Sequence, residues 1–139
     1  MFHPWEVVRL CLLLPACLIL FTGCGGSSGP PTAAVRGKVL FQGEPVTVGM
    51  VNFASPETGR GAGAPINEKG EFQIPEGLAL GTYRVAILPP PDPTSAGAPR
   101  TEPLPEYPQI PSKYRSEVTS GLTAEVKAGD NNFTFEMQP

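Results

Sequence analysis

From Val35 onward apolar residues recur at every second position, and no ten-residue stretch free of Gly and Pro carries a helical period. This feature restricts the chain to strands. Alternate side chains of a strand face opposite sides, whereas a helix returns to one face about every 3.6 residues. Val35, Gly37, Val39 and Phe41 alternate with Arg36, Lys38, Leu40 and Gln42. Val51 and Phe53 flank Asn52, Phe72 and Ile74 flank Gln73, and Tyr83, Val85 and Ile87 enclose Arg84 and Ala86. Leu122, Ala124, Val126 and Ala128 alternate with Thr123, Glu125 and Lys127, and Phe133, Phe135 and Met137 with Thr134 and Glu136. A weaker segment, Ala62 to Asn67, is expected to pair with the Phe72 strand across Glu68-Lys69-Gly70. Turn-forming residues separate the segments, as in Gln42-Gly43-Glu44-Pro45 and Ala128-Gly129-Asp130-Asn131.

About seven such strands point to an all-β fold, a seven-stranded antiparallel β-sandwich over 35–139. A small closed barrel would show the same alternation. The residues expected to face the core are Val39, Phe41, Val51, Phe53, Phe72, Ile74, Tyr83, Val85, Ile87, Leu122, Val126, Phe133 and Phe135. Gly43 and Gly70 suit turns with positive φ. Gly81 allows a sharp turn into the Tyr83 strand. Tyr83 is expected to bury its ring and to use its hydroxyl to satisfy a backbone group at a corner of the sandwich.

The N-terminus has a different character. A short head with one Arg precedes a 12-residue apolar run, Leu10 to Phe21, which ends in Thr22-Gly23-Cys24-Gly25-Gly26. These are the three regions of a secretory signal. The run is too short for a transmembrane helix, which needs about 20 apolar residues. It is also broken at Pro15 and lacks a basic stop. Phe21-Thr22-Gly23-Cys24 resembles the bacterial lipobox, although Phe21 stands where an aliphatic residue is usual. The resemblance implies cleavage before Cys24, leaving 1–23 as signal peptide, and acylation of Cys24 into a lipid bilayer. Residues 24–34, rich in Gly, Ser and Pro, are expected to form a flexible tether. An exported chain is thus expected, lipid-anchored to the cell membrane or outer membrane, with its domain in the periplasm or at the cell surface.

Four stretches carry a family resemblance: Val35-Arg-Gly-Lys-Val-Leu-Phe-Gln-Gly-Glu-Pro-Val, Gly49-Met-Val-Asn-Phe, Asn67-Glu-Lys-Gly-Glu-Phe and Leu80-Gly-Thr-Tyr-Arg-Val. Together they resemble the carboxypeptidase regulatory-like domain. The ending, from Ile110-Pro-Ser-Lys-Tyr to Phe133-Thr-Phe, is similar to small bacterial lipoproteins of that group. The resemblance covers Val35 to Met137 and implies a transthyretin-like (prealbumin-like) sandwich without peptidase activity.

Between the strands ending near Leu88 and beginning near Leu122 lies a Pro-rich loop, 89–111, with nine prolines in 23 residues. Its composition favours polyproline II, a recognised docking mode for aromatic-lined grooves. Pro91, Asp92, Arg100, Glu102, Glu106 and Tyr107 are the expected partner-facing residues. A solvated crossing stiffened by proline would have the same composition. Lys113-Tyr114-Arg115 offers a small cationic group that could meet an anion. Asn132-Phe133-Thr134 fits a glycosylation sequon, read here as the outward face of the last strand.

Chemistry is otherwise sparse. The only His is His3, and Cys11 and Cys17 also lie in the signal segment, so Cys24 is the one thiol that remains. No disulfide, no Cys/His zinc site and no Ser-His-Asp or Cys-His arrangement can be assembled after cleavage. The only aspartates, Asp92 and Asp130, sit in different loops, so no calcium loop exists. Gly59-Arg-Gly-Ala-Gly-Ala leads to a strand and not to the helix that a phosphate-cradling loop requires. A formal net charge of -3 leaves no basic footprint for nucleic acid. No cofactor is expected. The favoured reading is a tethered, non-catalytic module that binds an envelope protein or polysaccharide. A passive spacer is the alternative, and a small hydrolase is the least favoured.

Overall fold

Strand formation begins at Thr32, three residues before the alternation becomes regular, so the expected tether ends earlier than residue 34. The computed structural model describes residues 29–92 and 105–139. The signal segment and Cys24 lie outside them. Eight strands follow in order: β1 Thr32–Phe41, β2 Glu44–Pro45, β3 Met50–Ala54, β4 Gly61–Pro65, β5 Glu71–Ala79, β6 Gly81–Leu88, β7 Leu122–Val126 and β8 Asn131–Met137. Among the described residues a 3-10 helix turn, Ser112–Arg115, lies between β6 and β7.

The strands form two four-stranded sheets. In the first, β1 is central, with β8 on one edge and β5 and the short β2 on the other. In the second the order is β4-β3-β6-β7. The all-β sandwich read from the sequence is present, with three differences. The two-residue β2 adds a strand by closing a tight hairpin at Gln42 and Gly43, whose φ angles are 53 and 84°. The first and last strands, β1 and β8, pair in parallel from Val35↔Asn131 to Phe41↔Met137. The segment near Ala62 pairs with β3 and not with the Phe72 strand. Only the Asn67–Glu71 turn joins it to β5, through the Asn67 amide and the Glu71 carbonyl 2.9 Å away.

The core lies between the sheets and centres on Phe53. Its ring lies 5.9 Å from Phe72, 5.9 Å from Phe135 and 6.2 Å from Tyr83, centroid to centroid. Gly37 occupies an inward position of β1 where a β-carbon would fall 2.7 Å from Phe72 Cζ. The missing side chain is what lets the Phe72 ring lie across the sheet. Of the residues expected inside, Phe41, Leu122 and Phe133 are only partly buried against the core. Val35, Val46, Ile66, Leu78, Ile110, Tyr114 and Met137 join it. β5 continues past Pro75 because the register shifts there, between Ala33/Leu78 and Val35/Ile74. An irregularity of this kind accommodates a residue that has no N–H for the ladder.

The strand directions give the sandwich two distinct ends. At one end lie the start of β1, the Ala79–Gly81 corner and the β7–β8 turn, since Thr32 pairs with Ala79 and Gly81 with Val126. At the other lie the Gln42–Gly43 turn, the start of β3 and the end of β6, since Met50 pairs with Leu88. Tyr83 marks the first end: its ring is buried and its hydroxyl donates to the Ala79 carbonyl at 2.9 Å, as expected. Burial raises its phenol above the ordinary value of 10.0.

Candidate functional site

The Pro-rich loop leaves β6 at Leu88, at the end of the sandwich opposite the start of β1. At about 3.3 Å per strand residue, the eight residues of β6 separate the two ends by roughly 26 Å. Of the residues expected to face a partner, Pro91, Asp92, Glu106 and Tyr107 are described, whereas Arg100 and Glu102 lie outside the described residues.

The two stumps of the loop meet over Gly49. Ile110 is fully buried, and its Cδ1 lies 3.1 Å from where a Gly49 β-carbon would sit. The Leu88 carbonyl oxygen would be 2.5 Å from the same point, and Gly49 has φ +116°. Only glycine combines that backbone with that closeness. The returning stump is fastened by Arg115, whose Nε donates to the Ile110 carbonyl at 2.9 Å and whose Nη2 donates to the Tyr107 carbonyl at 3.2 Å. The Ile110 amide also donates to the Tyr107 carbonyl at 2.9 Å.

These contacts fix the places of Tyr107 and of Lys113-Tyr114-Arg115. Tyr107 is partly buried against the core, so only part of its ring is open at the surface. Lys113-Tyr114-Arg115 is not a cationic patch. Arg115 ties down backbone, Tyr114 is buried with its hydroxyl accepting from the Gln138 amide at 3.0 Å, and Lys113 lies 4.8 Å above the Tyr114 ring. The Ser112–Ser120 region continues the attachment. Ser120 Oγ donates to the Val85 carbonyl, and Asn52 Nδ2 donates to Glu117 Oε1. The 3-10 helix packs on β6, which accounts for the burial of Ala86 on a face the alternation assigns to solvent.

What remains open at this end is a cleft of about 480 Å³ lined by Pro105, Glu106, Tyr107, Pro108, Pro111 and Arg115. Its walls are proline rings and the tyrosine edge, with one carboxylate and one guanidinium at the rim. Such a surface, more polar than apolar, can meet an extended peptide or a sugar through polar groups as well as through its proline rings. Nothing in it is arranged to move a proton. A second groove, about 630 Å³, runs along the outer face of β8, β1 and β5. Arg36, Lys38, Glu71, Gln73, Asn132 and Thr134 line it, so the sequon residues do face outward. Among the described residues no group of His, Cys, Asp and Glu gathers as a metal site, and no helix is long and apolar enough to cross a membrane.

Comparison with known proteins adds little. No family profile and no curated protein sequence matches the chain. Among solved structures it is similar to a DUF3823 family protein from Bacteroides ovatus, at 17% identity and a TM-score of 0.46. The similarity covers 76% of this chain and 44% of that one, so the chain spans less than half the length of its structural neighbour.

Proposed function

We propose that the chain is an exported lipoprotein, held to an envelope membrane through acylated Cys24. Its sandwich is of the carboxypeptidase regulatory-like, transthyretin-like kind and displays the Pro-rich end of the domain to an envelope protein or polysaccharide. The observation that carries this reading is the polarity of the sandwich. The chain following the tether enters β1 at one end, and both stumps of the Pro-rich loop lie at the other. A domain anchored at its N-terminus therefore holds the loop and its 480 Å³ cleft away from the anchoring surface. The module is read as non-catalytic, because the cleft has proline and tyrosine walls and no paired acid and base. The alternative, a passive spacer, shares the anchor and differs only at the cleft.

The test is a membrane pull-down with the full chain and three variants. Cys24→Ala is expected to move the protein from the membrane to the soluble fraction and to abolish palmitate incorporation. Replacing 93–104 with a short Gly-Ser linker, or Glu106→Ala together with Pro108→Ala, is expected to leave the anchor intact and to remove the co-purifying partner. Palmitate incorporation that persists in Cys24→Ala overturns the anchor. A partner that survives both variants overturns the display reading, and the absence of any co-purifying partner favours the spacer.

A further inference from the structure

The strand β4 is an open sheet edge of unusual composition. It lies at the end of the order β4-β3-β6-β7, and its sequence is Gly-Ala-Gly-Ala-Pro. The other strands at sheet edges each carry at least one carboxylate: Glu44 in β2, Glu71 and Glu76 in β5, Glu125 in β7 and Glu136 in β8. Charged side chains are the common guard against edge-to-edge pairing. β4 has none.

The ladder shows which groups of β4 are left over. The Ser55 amide donates to the Arg60 carbonyl at 2.7 Å and the Ile66 amide to the Gly49 carbonyl at 2.9 Å. With the register Val51↔Ala64 and Phe53↔Ala62, the even-numbered residues of this strand bond inward to β3. In an antiparallel ladder every second residue bonds to one neighbour and the intervening ones face the other way. Gly61 and Gly63 therefore direct N–H and C=O outward, and Pro65 directs its carbonyl outward.

The geometry points to a second copy of this chain as the occupant of that edge, paired antiparallel about a two-fold axis at Gly63. In this register the Gly63 amide of each copy meets the Gly63 carbonyl of the other, and each Gly61 amide meets a Pro65 carbonyl. Pro65 has no N–H to offer, so the pairing is complete without it except at the Gly61 carbonyl. Three observations favour self-pairing over an unrelated peptide. At the two-fold axis a residue meets its own copy, so a charge at or beside Gly63 would face its like, and β4 is uncharged. The glycines leave no side chain on the outer face to obstruct a neighbouring strand. The flanking turns are complementary: the two-fold sets the Thr58–Arg60 turn of one copy beside Asn67–Lys69 of the other, bringing Arg60 toward Glu68. Among the described residues neither has an ion pair within its own chain.

An edge of five residues buries far less than the roughly 1,200 Å² of a stable interface. The dimer is therefore weak in solution and is strengthened where chains share a surface, as the proposed anchor would ensure. That strengthening rests on the lipoprotein reading, whereas the pairing does not.

The test uses the full chain in detergent and on phosphatidylcholine vesicles. Gly63→Cys is treated with a short bis-maleimide, with Thr123→Cys on the far edge of the same sheet as control. A β-carbon at Gly63 meets nothing closer than 3.4 Å, so the substitution leaves the strand in place. Cross-linked dimer is expected for Gly63→Cys and not for Thr123→Cys, with a higher yield on vesicles. Sedimentation of the chain is expected to show about tenfold weaker self-association for Arg60→Glu, or about 1.4 kcal/mol. Arg60→Glu combined with Glu68→Arg should restore it, which a purely structural role for either residue would not do. Equal cross-linking at Thr123, a monomer at every concentration, or cross-linking of Gly63→Cys to a different polypeptide overturns the proposal. Reaction through Cys24 in the parent chain marks a free thiol and so a failure of the lipid reading. The cross-linking is then read in the Cys24→Ala background.

Discussion

Ile110 closes over Gly49, its Cδ1 standing 3.1 Å from the place a Gly49 β-carbon would take. The contact ties the returning end of the Pro-rich loop to the first residues before β3. Gly49→Ala must therefore displace the Leu88 backbone and press on the Ile110 side chain while holding φ near +116°. A destabilisation of about 1–3 kcal/mol is expected from the strained backbone alone. Urea unfolding would measure it, and an unchanged midpoint would show that the two stumps do not close there.

The described end of the loop, 105–111, is fixed to the core, and 93–104 are expected to be dispensable for folding. Replacing 93–104 with a short Gly-Ser linker should leave the Tm within a few degrees, because halving a loop changes its closure entropy by only about 0.6 kcal/mol. Ile110→Ala, in contrast, empties a fully buried site and should lose about 2–5 kcal/mol. Equal effects from both changes would contradict the division.

Tyr83→Phe removes the hydroxyl bond to the Ala79 carbonyl and should lower stability by about 0.5–1.5 kcal/mol at neutral pH. The pH dependence has a definite sign. The folded phenol titrates above 10.0 because burial disfavours its anion. The folded state therefore gains over the unfolded one below that value, and the gain is lost as pH rises through the raised pKa. Wild type should lose stability in strong alkali by a component that Tyr83→Phe lacks. Thermal melts from pH 8 to 12 would separate the two.

Asn131 supports the β7–β8 turn with its whole amide. Its Oδ1 accepts from the Lys127 amide at 2.9 Å, and its Nδ2 donates to the carbonyls of Lys127 at 2.8 Å and Gly129 at 3.1 Å. Asn131→Asp keeps the acceptor but turns a carboxylate toward backbone carbonyls. It should be more destabilising than Asn131→Ala, by about 1 kcal/mol or more. The reverse order in chemical denaturation would mean that the amide donors contribute little.

Most strands were legible because each buries one face, so the alternation at Val51-Asn52-Phe53 or Tyr83-Arg84-Val85 maps directly onto burial. Ala86 broke the pattern because a segment some thirty residues away covers its outer side. Pairing was less legible than existence. Ala62 and Ala64 carry no signal that chooses β3 over β5, and nothing in β8 shows that it will run parallel to β1. At the site, the burial of Ile110 was hidden in a stretch whose prolines suggest a solvated loop. The role of Arg115 could not be read, because its targets are backbone carbonyls, which leave no trace in sequence.

The parallel pairing of β1 with β8 also governs the order in which the chain can fold. β1 is the central strand of its sheet, yet beyond the two-residue β2 its neighbours begin at Glu71 on one side and Asn131 on the other. A chain made from its N-terminus must therefore keep β1 unpaired on its β8 side until residues 131–137 have emerged. Contacts so distant in sequence fold slowly. Slow closure leaves the β8 side of β1 an open edge for as long as the two strands remain apart.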